Sequence, residues 1–136
     1  MIPNIPPTQT WDALRNNPNA QMVDVRTEAE WAFVGVADLS EAGKQAVLIQ
    51  WQVYPSMQRD RAFEDRLARA GFTPDHHLYF ICRSGVRSLA AAEAARAAGF
   101  PHVFNVADGF EGPIDAHGHR GHAAGWKAEG LPWLQR

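Results

Sequence analysis

The stretch Tyr79–Phe100, YFICRSGVRSLAAAEAARAAGF, reads as a buried strand, a tight turn and a helix in direct succession. Its first residues continue an apolar run that begins at His77 (HLYFI) and is hydrophobic at nearly every position rather than at alternate ones. Such a run suits a strand covered on both faces, and strands of that kind belong to parallel sheets. Beyond the RSGVRS connection alanine dominates. Alanine is the strongest helix former, and Gly99 followed closely by Pro101 marks the helix end. At the junction of strand and turn stands Cys82, the only cysteine in the chain.

The same strand pattern recurs in AQMVDV (Ala20–Val25), AVLIQW (Ala46–Trp51) and HVFNV (His102–Val106). Helical segments lie between them. TQTWDALRN (Thr8–Asn16) offers Thr8 or Thr10 as its cap, and TEAEWAF opens with Thr27 and Glu30 at capping-box spacing. RDRAFEDRLARAGF places Phe63 and Leu67 on one helix face and stops at Gly71. Strands alternating with helices predict an α/β fold with right-handed crossovers, built on a central, mainly parallel sheet of four to five strands flanked by helices. The last third, ADGFEGPIDAHGHRGHAAGWKAEGLPW, is dense in Gly, Pro and His and reads as loop with one short helix near Ala123–Glu129. Phe110, Trp126, Leu131 and Trp133 anchor it to the rest.

A length of 136 residues predicts one domain, with a core large enough to stand without disulfides. The apolar share of 46% and charged share of 21% are those of a soluble globular protein rather than a disordered one. A net charge of −2, with no clustered Lys/Arg stripe, excludes general affinity for nucleic acid. No apolar segment approaches the roughly 20 residues that span a bilayer, so no membrane partner is expected. The amino end, MIPNIPPTQTWDAL, has neither a basic start nor a long apolar run and does not read as a signal peptide. The expected location is the cytoplasm, whose reducing conditions keep Cys82 a thiol.

In open α/β sheets, ligands bind beyond the carboxyl ends of the strands, which is where Cys82 falls. A tight loop containing Gly85 turns backbone N–H groups toward an anion, and the helix start behind it adds positive dipole character. Thiolates are stabilised in such settings beside arginine, so Cys82, with Arg83 and Arg87 close by, is expected to be a thiolate near neutral pH. A lone cysteine serving as core filler would not need this electropositive frame.

The loop CRSGVRS resembles the active-site loop of rhodanese-type sulfurtransferases. VDVRTEAEW resembles the Asp-Val-Arg element that ends the family's first buried strand, and GWKAEGLPW resembles its closing Gly-Trp and Gly-Leu-Pro pattern. The three matches occur in the family's order between Val23 and Trp133. The resemblance implies a three-layer rhodanese-like fold over residues 1–136. It also implies a catalytic Cys82 that takes sulfane sulfur from a donor such as thiosulfate, forming a persulfide, and passes it to cyanide or a cellular thiol. Arg83, Ser84, Gly85, Val86, Arg87 and Ser88 would form the substrate-binding loop, their N–H groups holding the persulfide charge and Arg83 or Arg87 binding the anionic donor. No metal or organic cofactor is implied. The alternative role is a sulfur carrier or binding module that delivers sulfur from Cys82 to a sulfur-relay protein.

Cysteine phosphatases, including the cell-cycle phosphatases that share the rhodanese fold, separate Cys and Arg by five residues. Here four residues, Arg83 to Val86, lie between Cys82 and Arg87, and the smaller ring suits sulfur better than phosphate. A redox-sensor role would need an external resolving thiol.

Asp24 and Arg26, at the carboxyl end of the first predicted strand, are supporting candidates: Asp24 as partner of Arg83 or Arg87, and Arg26 as a positive charge or a brace for Glu28 or Glu30. Two segments depart from the family pattern. A Gly/His-rich insertion at about residues 112–125 carries His117, His119 and His122, in position to cover the site or bind a partner. These histidines lack a matched cysteine or carboxylate, so no metal site is expected. The segment VGVADLSEAGKQAVLIQWQVYP lacks the common His-Ile-x-Gly-Ala form; Trp51, Tyr54 and Pro55 are expected either as an aromatic rim over Cys82 or as core.

Overall fold

The computed structural model describes residues 1–135. Along the chain it contains β1 (Asn4–Ile5), α1 (Pro7–Asn16), β2 (Ala20–Asp24), α2 (Glu28–Phe33), β3 (Val36–Ala37), a 3-10 turn (Ser40–Ala42), β4 (Val47–Leu48), β5 (Gln52–Val53) and β6 (Gln58–Arg59). α3 (Phe63–Arg69), β7 (His77–Ile81), α4 (Val86–Ala97), β8 (Val103–Val106) and β9 (Trp133–Leu134) complete it. Five strands form one sheet in the order β1-β8-β7-β2-β4. Every pairing in it is parallel.

The continuous hydrophobicity of β2 and β7 has the predicted cause. Ala20, Met22, Tyr79 and Ile81 face an apolar layer with Trp11 and Leu14 of α1 and with Phe110 and Trp126. Val23, Leu78, Phe80 and Val103 face the opposite layer, with Phe63 and Leu67 of α3 and Ala91, Ala92 and Ala95 of α4. Burying each large side chain stabilises the fold by roughly 1.5–3 kcal/mol. Alanine on the buried stripe of α4 lets that helix lie close to the strands. The result is the expected three-layer α/β arrangement.

Thr27 caps α2 by the predicted capping box. Thr10 does not cap α1: it lies buried inside the helix, its hydroxyl bonding back to the Pro6 carbonyl at 3.1 Å, while Pro7 starts the helix. Proline has no N–H to satisfy and is preset for a first turn. The expected strand Ala46–Trp51 shortens to β4, because only Val47 and Leu48 pair with β2. The short helix near Ala123–Glu129 is instead a series of turns, closed by Glu129 N–H to Gly125 and Gly130 N–H to Lys127. Trp126 anchors them, with its indole N–H donating to the Pro132 carbonyl at 2.7 Å. No helix among the described residues is long and apolar enough to cross a membrane.

Candidate active site

Cys82 follows β7 directly, at the carboxyl edge of the sheet's centre, and is 1% exposed. Its register neighbour fixes it there: Asp24 pairs with Ile81, and Val25 N–H bonds the Ile81 carbonyl at 2.9 Å. The chain then reverses in three residues and enters α4 through Gly85, whose φ of 110° is left-handed and open to glycine at little cost. This reversal brings the Gly85 N–H to 3.1 Å and the Ser88 hydroxyl to 3.2 Å from Sγ. The first amides of α4 have no intrahelical acceptor and no side-chain cap, so the sulfur lies at the positive end of the helix.

A strap behind the loop holds it in shape. The Cys82 carbonyl accepts from Phe110 N–H at 2.8 Å, and the Arg83 carbonyl accepts from Glu111 and Gly112, each at 3.0 Å. Gly109 makes this approach possible: a Cβ there would fall 2.7 Å from the Arg83 carbonyl carbon, and its φ is 62°.

Cys82, Arg83, Ser84, Val86 and Arg87 line one side of a pocket of about 390 Å³, with Glu30 of α2 and Gln52 and Met57 of the β5–β6 hairpin opposite. Arg87 does not reach toward open space. Its guanidinium makes a two-pronged ion pair with Glu30, at 2.7 and 2.8 Å. Burial pushes the Glu30 carboxyl up, but the hydrogen bond and charge of Arg87, with contacts from Thr27, outweigh it, and the net value lies below the ordinary carboxylate range. On Arg87 the hydrogen bond to Glu30 acts first; burial opposes it, and the charges of Glu30, Cys82 and Asp24 add to it. The proton is held more tightly than usual. Arg83 is exposed and has no ion-pair partner among the described residues.

Asp24 and Arg26 pair with each other, at 2.7 Å and almost wholly buried, rather than with Arg83, Arg87, Glu28 or Glu30. Arg26 also donates to the Gly35 carbonyl at 2.7 Å and lies over the Phe110 ring at 4.4 Å. The pair therefore ties the end of β2 to the Gly35 turn and to the strap. Sequence spacing put both residues at the correct sheet edge, but alternation along a strand end does not reveal that side chains two apart will fold back on each other.

The Gly/His-rich segment at about residues 112–125 does not cover the pocket. Gly112 and Gly125 meet at its stem, the Gly121 N–H bonds the Glu111 carbonyl, and Asp115 accepts the amides of His117 and His119, each at 2.9 Å. None of its residues lines the Cys82 pocket. Trp51 packs edge-on against Phe63 at 5.1 Å and belongs to the core, while Tyr54 and Phe33 stand exposed at a second cleft sharing Glu30 and Met57 with the first.

Sequence reasoning overlooked three contributors: Glu30 as the partner of Arg87, Gly109, and Asn105. Asn105 is buried in β8, accepts from Ser88 at 2.5 Å and donates to the Gly85 carbonyl at 3.2 Å. A polar residue inside the apolar run HVFNV was the available signal.

Residues 6–136 match the family model described as the STR4 middle domain. The protein RC0915 of Rickettsia conorii is 35% identical over 133 residues, 97% of each chain. Rhodanese-like domain-containing protein 4 of Arabidopsis thaliana, chloroplastic, is 28% identical over 123 residues, covering 90% of this chain and 23% of that protein. Among solved structures, Rv0390 from M. tuberculosis is 46% identical with a TM-score of 0.88, covering 98% of this chain and 97% of that one. The polysulfide-sulfur transferase of Wolinella succinogenes shares the fold at a TM-score of 0.65 and 22% identity, over 99% of this chain and 80% of that one.

Proposed function

We propose, for a chain that belongs to the STR4 middle-domain family and is rhodanese-like, that Cys82 accepts and delivers sulfane sulfur. The observation that carries this reading is the sulfur atom itself, set at the floor of an open pocket at the amino end of α4, where it accepts the Gly85 N–H at 3.1 Å and has the Ser88 hydroxyl within reach at 3.2 Å. Those donors favour negative charge on Sγ, where the attacking thiolate carries it. The sulfur-transferase role of the Wolinella succinogenes fold relative supports the same chemistry.

With thiosulfate as donor, the Cys82 thiolate attacks the outer sulfur. The new bond joins that sulfur to Sγ, the bond between the two donor sulfurs breaks, and sulfite leaves with its electron pair. Cyanide or a thiolate then attacks the outer sulfur of the persulfide, and Sγ leaves as the thiolate. The loop from Arg83 to Ser88 cradles the anion, Arg83 supplies the cation for the donor because Arg87 is engaged by Glu30, and Asp24 and Arg26 hold the surrounding backbone. In this reading residues 1–136 act as one domain in a reducing, cytoplasmic setting, with no cofactor or metal.

Steady-state thiosulfate:cyanide assays on the protein and its Cys82→Ser variant test the enzymatic form. Thiocyanate production lost in the variant is the expected result. No production, together with stoichiometric sulfur delivery from Cys82 to one protein thiol, would replace turnover with sulfur carriage.

A further inference from the structure

Ser88 is fully buried on the first turn of α4, and its hydroxyl faces two acceptors with one hydrogen to give. Sγ of Cys82 lies 3.2 Å away on one side and Oδ1 of Asn105 2.5 Å away on the other. The orientation of the Asn105 amide follows from its surroundings. The Gly85 carbonyl, 3.2 Å from its other terminal atom, can only accept, so that atom is the nitrogen and the one facing Ser88 is the oxygen. The same nitrogen donates to Asn4 Oδ1 at 3.1 Å, which locks the amide between β8 and β1.

We infer that Asn105 is a positioning residue that competes with Cys82 for the Ser88 proton and thereby sets how readily the sulfur ionises. While Cys82 is a thiol, the short contact keeps the Ser88 hydrogen on Asn105, and S–H donates to the free lone pair of Ser88. Once the sulfur is a thiolate it can only accept, and the hydroxyl rotates toward it, leaving a buried Oδ1 without its donor. Leaving such an acceptor unpaired is unfavourable. When sulfur transfer puts the charge on the outer atom of a persulfide, the hydroxyl returns to Asn105. Asn105 thus favours the two states in which Sγ is uncharged and keeps the intervening thiolate under-solvated and reactive. The consequence for turnover rests on the sulfur-transfer reading; the competition for one proton does not.

Other charges face the same sulfur. Arg87 of α4 and Glu30 of α2 line its pocket with the exposed Arg83, and the Asp24–Arg26 pair closes the end of β2. Asp108 and Glu93 share with Asn105 a separate pocket of about 490 Å³ behind the loop. Among the described residues none of these side chains hydrogen-bonds the Ser88 hydroxyl, so they form a background common to the variants below.

The test is the pH dependence of Cys82 alkylation by iodoacetamide, on the full chain and in a double-mutant cycle. Asn105→Leu is expected to lower the midpoint by about half a unit, roughly a threefold gain in thiolate, and Ser88→Ala to raise it. Combined with Ser88→Ala, Asn105→Leu is expected to have no further effect. An unmoved or raised midpoint in Asn105→Leu, or an equal effect of Asn105→Leu when Ser88→Ala is already in place, would overturn the inference. Should Asn105→Leu fail to fold, Asn105→Asp decides. Its carboxylate holds the Ser88 proton more strongly, so the midpoint must rise more in the chain that keeps Ser88 than in the Ser88→Ala background, and equal rises overturn the inference. Absence of sulfur transfer with this alkylation pattern intact would sink the proposed function and leave the inference standing.

Discussion

Arg87 and Glu30 meet across the mouth of the Cys82 pocket in a two-pronged ion pair, with side chains only 15% and 19% exposed. The pair joins the first turn of α4 to the first turn of α2, so the two helix starts that frame the pocket are coupled by a charge-assisted fork. It also offsets one of the two cations that the loop carries, which lowers the pocket's attraction for any anion.

Glu30→Gln should therefore strengthen use of thiosulfate. Glutamine keeps the capping-box geometry with Thr27, while Arg87 is freed of its counter-charge. The expected result is a KM for thiosulfate lower by roughly 3- to 10-fold, the scale of one screened charge at a partly exposed site. Arg83→Ala should raise KM by a similar factor. An unchanged KM in both variants would remove electrostatic donor binding from the account.

The same pair predicts a pH dependence of stability. The folded-state value of the Glu30 carboxyl lies below its ordinary 4.5, so the pair's contribution is fully present above that value and is lost as pH falls through the lower, folded one. Melting temperatures of the wild type and Glu30→Gln should differ most near neutrality and converge in acid. A gap that widens below pH 4.5 would give the ion pair the wrong sign.

Removing Asp24 should be costly. Asp24→Ala leaves the Arg26 cation, 0% exposed, without its carboxylate. Breaking one side of a buried pair typically costs about 3–5 kcal/mol, much of a small domain's stability. Urea unfolding measures it, and a loss under about 1 kcal/mol would show that water or rearrangement compensates.

Gly109→Ala should cost more than Gly118→Ala. Both glycines have positive φ, but a Cβ at Gly118 meets nothing within 4 Å whereas one at Gly109 collides with the backbone of Arg83. We expect a stability loss of about 1–3 kcal/mol for Gly109→Ala, with sulfur transfer reduced because the strap displaces the loop. Equal effects at the two positions would mean that the strap does not hold the loop.

The central architecture could be read from sequence because it rests on local signals. The nearly continuous apolar runs from Ala20 and from His77 predict strands covered on both faces, and the Ala-rich segment after CRSGVRS predicts the helix that connects one such strand to the next. The short pieces were not legible. β1, β3, β9 and the β5–β6 hairpin strands are two residues each, too short for periodicity, and exist because other segments meet them: β1 beside β8, and β3 beside β9. The site divides in the same way. Cys82 and its loop follow from one contiguous motif, whereas the choice of Glu30 rather than Asp24 for Arg87 depends on where α2 lies, and Asn105 joins the site only across the β7–β8 ladder.

The most direct measurement is the intact mass of the purified protein before and after thiosulfate, beside Cys82→Ser. The account predicts a gain of one sulfur atom, reversed by cyanide and absent from the variant. No gain on a protein whose Cys82 is shown to be reduced and accessible, or a gain that survives Cys82→Ser, would contradict it.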